Sequence, residues 1–145
     1  MNPQATPQSA AYRHSVRVYW EDTDAGGIVF YANYLKFFER ARTEWLRSLG
    51  VGQQALREST GGMFVVSETS VRYLRPARLD DLLTVTAHLH TPGRASLVIA
   101  QQAWLQNAAG EAVELLCEGT IRIGWVDAAS LRPARIPSNI LEVLS

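Results

Sequence analysis

Tyr31-Ala32-Asn33-Tyr34-Leu35-Lys36-Phe37-Phe38-Glu39-Arg40-Ala41-Arg42-Thr43-Glu44-Trp45-Leu46-Arg47-Ser48-Leu49 repeats with the period of a helix. Tyr34, Phe38, Ala41, Trp45 and Leu49 fall on one side and Lys36, Arg40, Thr43 and Arg47 on the other, which predicts one long helix with a single strongly apolar face. Gly50 and Gly52 follow where a helix C-cap is expected. A short helical or irregular piece, Gln53 to Glu58, then leads to Gly61-Gly62. An apolar helix face needs another layer to bury it, and the rest of the chain supplies strands.

Upstream, His14 to Trp20 alternates, with Val16, Val18 and Trp20 on one side and Ser15, Arg17 and Tyr19 on the other. Downstream, alternation marks Met63 to Leu74, Leu82 to His90, Ala95 to Leu105 and Val113 to Trp125. Leu83, Val85, Ala87 and Leu89 alternate with Thr84, Thr86, His88 and His90, as expected of antiparallel sheet covered on one face. Thr91-Pro92-Gly93 and Asn107-Ala108-Ala109-Gly110 have hairpin length and turn chemistry, so consecutive strands are expected to pair as a meander. The fold class is α+β: five strands in the order β-α-β-β-β-β, curled around one helix. Pro137 to Leu144 is expected to form a terminal helix that packs Ile140, Leu141 and Leu144 onto the body.

With 145 residues the chain has the length of one domain. Residues 1–11, rich in Pro, Gln, Ser and Ala, are expected to be a flexible tail, and residues 12–145 a single domain. The tail lacks the basic start and apolar run of a signal peptide, and no stretch has the length to span a bilayer, so the expected compartment is the cytoplasm. Zero formal net charge and scattered arginines argue against nucleic acid as a partner. The single cysteine, Cys117, has no intramolecular disulfide partner and reads as a small core residue of a strand.

The densest polar cluster is Glu21-Asp22-Thr23-Asp24, followed by Ala25-Gly26-Gly27 and the helix start. A carboxylate beside a helix N-terminus has free N–H groups and the positive end of the dipole at hand, which together can polarise a carbonyl. The same aspartates can equally do no more than cap turns. A calcium loop starting at Asp22 fails, because Gly26 stands at its fifth position and Asn33 where the bidentate Glu belongs. A phosphatase Asp-x-Asp nucleophile fails too, since the only lysine, Lys36, lies on the polar face of the helix and the remainder is β-rich. His88 and His90 share one strand face but lack a third metal ligand at an identifiable spacing, so no metal is expected. Arg42 falls near the edge of the helix's apolar arc and needs a partner, for which Glu39 is the expected one.

Val18-Tyr19-Trp20-Glu21-Asp22-Thr23-Asp24-Ala25-Gly26-Gly27-Ile28-Val29-Phe30-Tyr31-Ala32-Asn33-Tyr34, continuing into Phe38-Glu39-Arg40-Ala41-Arg42-Thr43-Glu44, resembles the signature of the 4-hydroxybenzoyl-CoA thioesterase family. Val71-Arg72-Tyr73-Leu74-Arg75-Pro76-Ala77-Arg78-Leu79-Asp80-Asp81-Leu82 resembles the Tol-Pal-associated acyl-CoA thioesterases of that family, and the likeness runs from about Arg13 to Pro137. The resemblance implies a hotdog fold and hydrolysis of an acyl-CoA, with no cofactor, CoA being part of the substrate. It implies Asp24 as the catalytic carboxylate, acting as general base or nucleophile, the backbone N–H of Tyr31 as the oxyanion donor and Asp22 as loop support. It also implies Arg94, on the turn leading into Ala95-Ser96, and with it Ser96, as contacts for CoA. Relatives in the Tol-Pal branch often have histidine where this chain has Tyr31, whereas the hydroxybenzoyl branch resembles Tyr31, so the acyl group is not assigned by the likeness.

A homo-oligomer, dimer or tetramer, is expected, because a curled sheet leaves edge strands to be covered, and the resemblance places the active sites at subunit boundaries. The alternative is a non-catalytic acyl-carrier or cell-envelope scaffold protein that keeps the fold, with an acyl carrier protein or an envelope-associated protein as its partner.

Overall fold

The computed structural model describes Pro7 and residues 11–144. The expected tail, residues 1–11, thus lies outside the described residues except for Pro7 and Ala11. Five strands, β1 (Tyr12–Arg17), β2 (Gly62–Tyr73), β3 (Leu82–Pro92), β4 (Ser96–Gln106) and β5 (Ala112–Asp127), form one antiparallel sheet. Helix α1 (Asn33–Ser48) leans on β1, β3 and β4, and α2 (Gln53–Thr60) packs on β2. Helix α3 (Ser138–Leu144) closes the chain, burying Ile140 and Leu144 with Leu141 partly buried against the core.

The apolar stripe read from the sequence forms the core. Tyr34, Phe38, Ala41 and Trp45 of α1 are buried, joined by Phe37 and Leu46, against Leu83, Val85 and Ala87 of β3 and Leu97, Ile99 and Ala103 of β4. Leu49 falls past the helix end and is exposed. Gly50 takes the left-handed conformation (φ 84°) that a glycine adopts without a Cβ clash, and the helix stops there.

Three expectations are corrected. The strand order is β1-β3-β4-β5-β2, so the meander holds only for β3-β4-β5, while β2 crosses to the far edge and pairs with β5. The eight residues between Tyr73 and Leu82 carry that crossing, too many for a tight hairpin. β1 ends at Arg17 rather than Trp20: a 3-10 turn over Trp20–Asp22 intervenes, Val16 and Val18 stay buried, and Trp20 is 82% exposed. On β5 the alternation changes phase, because Ala103 pairs with Cys117 and Trp104 with Leu115, leaving Leu116 as the extra, inward residue of a bulge.

Candidate active site

The acidic loop folds against the β2–β3 crossing. Thr23 bridges Val29, the Asp24 N–H donates to the Ile28 carbonyl (2.9 Å) and the Gly27 N–H to the Asp24 carbonyl (3.0 Å), closing a tight turn. The turn is held by the Val29 N–H on the Ala77 carbonyl (2.9 Å) and the Leu79 N–H on the Gly27 carbonyl (3.1 Å). Gly27 has φ 76°, which a side chain would strain.

The two aspartates face different surroundings. Asp22 is 6% exposed, and its Oδ2 accepts the Tyr19 N–H (2.8 Å). Its carbonyl accepts both the Phe30 N–H (3.0 Å) and Asn33 Nδ2 (2.8 Å), tying the loop to the first residue of α1. Asp24 is exposed, its Oδ1 accepts the Gly26 N–H (2.9 Å), and its Oδ2 has no partner among the described residues.

Tyr31 lies in the turn just before α1, which starts at Asn33 rather than at Tyr31. The Ala32 cap supplies no side-chain hydrogen bond. Among the described residues the Tyr31 N–H has no acceptor, as the orphan amides of a helix start commonly lack one. Its carbonyl, by contrast, accepts the hydroxyl of Tyr73, the last residue of β2 (2.9 Å). Tyr34 fixes the other flank, its hydroxyl oxygen accepting the Ala77 N–H (3.0 Å) and its ring lying 5.6 Å from that of Tyr73. Burial raises the pKa values of both phenols above their ordinary value, so each keeps its proton at neutral pH. Tyr31, Tyr34 and Tyr73 line a cleft of about 250 Å³ with Leu74 and Pro76. Asn33, Tyr34 and Tyr73 were not singled out as site residues from the sequence, although Tyr73 stands inside the second motif.

Arg94 and Ser96 lie elsewhere. Arg94 is exposed on the β3–β4 turn, with its carbonyl accepting the Ile136 N–H (2.8 Å), and Ser96 opens β4 opposite Gly124. The Asp24 loop packs by the residues that precede Leu82, whereas Arg94 follows Pro92, and an eleven-residue strand spans about 33 Å at the usual rise. One protomer therefore does not bring Asp24 and Arg94 together. His88 and His90 are on β3, and no group of three or more metal-ligating side chains occurs among the described residues.

The expected Arg42–Glu39 ion pair is also corrected. No salt bridge joins them among the described residues, and Arg42 turns inward to Gln101 Oε1 (2.9 Å).

The family model for the thioesterase superfamily matches residues 26–112. This chain belongs to the thioesterase superfamily. Acyl-CoA thioester hydrolase YbgC of Escherichia coli O157:H7 is 42% identical over 130 residues, covering 90% of this chain and 92% of that protein. Acyl-CoA thioesterase YbgC of Haemophilus influenzae is 39% identical over 125 residues, covering 86% and 88%. Among solved structures, the 4-hydroxybenzoyl-CoA thioesterase from Pseudomonas sp. strain CBS-3 superposes with a TM-score of 0.83 at 20% identity, covering 92% of this chain and 98% of that one, a likeness of fold. A probable thioesterase from Bartonella henselae gives a TM-score of 0.76 at 29% identity, covering 88% and 100%. The sheet around a long helix is the hotdog fold. Within the superfamily match lie Tyr31, Arg94 and Ser96, while Asp22 and Asp24 fall just before it. No helix among the described residues is long and apolar enough to cross a membrane.

Proposed function

We propose that this protein hydrolyses acyl-CoA thioesters to a free carboxylic acid and CoA, with Asp24 as the acting carboxylate and the Tyr31 N–H as the oxyanion donor. The observation that carries it is the pairing of one open carboxylate oxygen on Asp24 with one unengaged amide at Tyr31, at the two ends of a loop that Asp22 and Asn33 hold in shape. Amide polarisation draws charge onto the thioester oxygen as the carbonyl carbon becomes tetrahedral. Asp24 then either takes a proton from water as the water oxygen bonds to that carbon, or bonds to it directly and forms an anhydride that water opens. On both routes the C–S bond breaks, CoA leaves as a thiolate that gains a proton, and Asp24 ends as it began. The chemistry asks for no metal or cofactor, and residues 12–145 act as one catalytic unit. Cytoplasmic residence accords with an acyl-CoA substrate.

The site is completed between copies of the chain. β2 is a twelve-residue edge strand, exposed from Val66 to Ser70, and such an edge must be covered or paired. A two-fold axis beside β2 pairs two copies. Since Arg94 is a strand's length from its own Asp24, Arg94 and Ser96 meet the CoA bound at a neighbour's site. The deciding experiment measures thiol release from short-chain, long-chain and aromatic acyl-CoAs. Turnover of at least one class is expected, and silence across the panel would favour the non-catalytic scaffold.

A further inference from the structure

Arg42 is only 9% exposed, yet the single hydrogen bond of its side chain among the described residues is Nη1 to Gln101 Oε1. Gln101 is itself fixed, its Nε2 donating to the Phe38 carbonyl (2.9 Å) and the Thr86 carbonyl (3.1 Å), so its oxygen is committed to Arg42. A guanidinium has five N–H donors. No fully buried side-chain nitrogen or oxygen among the described residues lacks a partner, so the remaining Arg42 nitrogens open onto free space.

That space is a groove. Arg42, Glu39 and Val66 line two adjoining hollows, one of about 330 Å³ that reaches back to Leu35 and one of about 210 Å³ that continues to Trp45. Leu35, in the first turn of α1, follows by four positions Tyr31, which lines the cleft of about 250 Å³ described above. The first two hollows follow the seam between α1 and β2, which stays open because α1 leans on β1, β3 and β4 instead, and the cleft at Tyr31 lies beyond the end of that seam, between Tyr34 of α1 and Tyr73 of β2. The walls are largely apolar at Leu35 and at Tyr31 and mixed in the hollow that continues to Trp45, while Lys36, Glu39 and Arg42 line the middle stretch and leave it one positive charge in excess. Glu39 is exposed and its Oε1 already accepts the Thr43 hydroxyl (3.0 Å). Taking a cation out of water costs free energy unless an anion or several acceptors replace the solvent. Burial accordingly lowers the Arg42 pKa, the charge of Glu39 offsetting it in part.

We propose that this groove holds the acyl chain of the substrate and that Arg42 binds a carboxylate at the chain's far end, making long ω-carboxyacyl-CoAs the preferred class. The inference rests on the hydrolase function proposed above. Arg42 is nine positions along α1 from Asn33, a rise of about 14 Å that the backward lean of its side chain shortens, and Tyr31 sits in the turn before that start, so a short acyl group held at Tyr31 falls short of the guanidinium.

The test compares kcat/KM for alkanoyl-CoA and ω-carboxyalkanoyl-CoA pairs of equal length, across short and long chains. With the unaltered protein the carboxylated long-chain partner is expected to win by at least about tenfold, as a charge-assisted hydrogen bond provides, and the short pairs to show no such preference. Arg42→Met should erase the long-chain preference, and Arg42→Lys should leave part of it. Equal rates for the long pair, or preference for the alkanoyl partner, would overturn the inference while leaving the hydrolase intact, and this arm depends on no variant folding. Absence of turnover on every substrate would instead sink the hydrolase function. An Arg42→Met protein that keeps the long-chain preference but loses its oligomeric state would make Arg42 a subunit contact and also overturn it.

Discussion

Asp22 and Asp24 are two positions apart, and spacing makes them equivalent candidates for turn-capping or chemistry. Their difference arises from a feature that alternation concealed: the 3-10 turn over Trp20–Asp22 swings the Asp22 side chain back onto the Tyr19 N–H and leaves Asp24 at the loop tip. Trp20 is a normal continuation of the apolar face by alternation, and only the hydrogen bonds of the turn expel it. Asp24→Asn keeps an oxygen for the Gly26 N–H, so the loop should survive while the charge is lost. Turnover is expected to drop by at least about 100-fold, the usual scale for a lost acid-base or nucleophilic group, with the thermal midpoint unchanged. Near-normal turnover in a steady-state assay would remove Asp24 from the mechanism.

Between elements, the contact that bears on the chemistry is the Tyr73 hydroxyl at the end of β2, 2.9 Å from the Tyr31 carbonyl. It pins the backbone whose amide is the proposed oxyanion donor. Tyr73→Phe removes that bond alone, and a net worth of roughly 1 kcal/mol corresponds to a fall in kcat of about fivefold. KM should stay nearly constant, because the bond orients the donor rather than the bound CoA, so a rise in KM at constant kcat would count against a positioning role. Such a contact is invisible to pattern reading, since it depends on where β2 ends relative to the helix start. Local signals fared better: the apolar stripe of α1, its glycine stop and the two hairpins of β3-β4-β5 are properties of short segments and could be read directly. The place of β2 could not, because its alternation is the same whether it pairs with β3 or β5, and a long connection permits both. Arg42 misled for a related reason, as Glu39 is near in sequence while Gln101 is near only once the sheet closes over the helix.

At the scale of the whole molecule, the distance between the Asp24 loop and the Arg94 turn has a functional meaning only if copies assemble. Light scattering at micromolar concentration should report two or four times 16.1 kDa. Mixing an inactive Asp24→Asn protein with an Arg94→Ala protein of weakened CoA binding should restore activity through hybrid sites, whereas a fully active monomer, or a mixture no better than its parts, would refute shared sites. Cys117 stands in the middle of the sheet, opposite Tyr73 on one side and Ala103 on the other, and is fully buried. Burial, with a smaller push from Glu118, raises its thiol from the ordinary 9.0 to about 12. Below pH 9 both folded and unfolded chains keep the proton and this contribution to stability is complete. As pH climbs from 9 toward 12 the unfolded thiol ionises first, so urea midpoints should fall there, and fall less in Cys117→Val. Only a thiolate reacts readily with disulfide dyes. The folded protein should thus contribute no background when such a dye counts liberated CoA, and in substrate-free denaturant the rate of its own colour change should time how often the β2–β5–β4 layer comes apart.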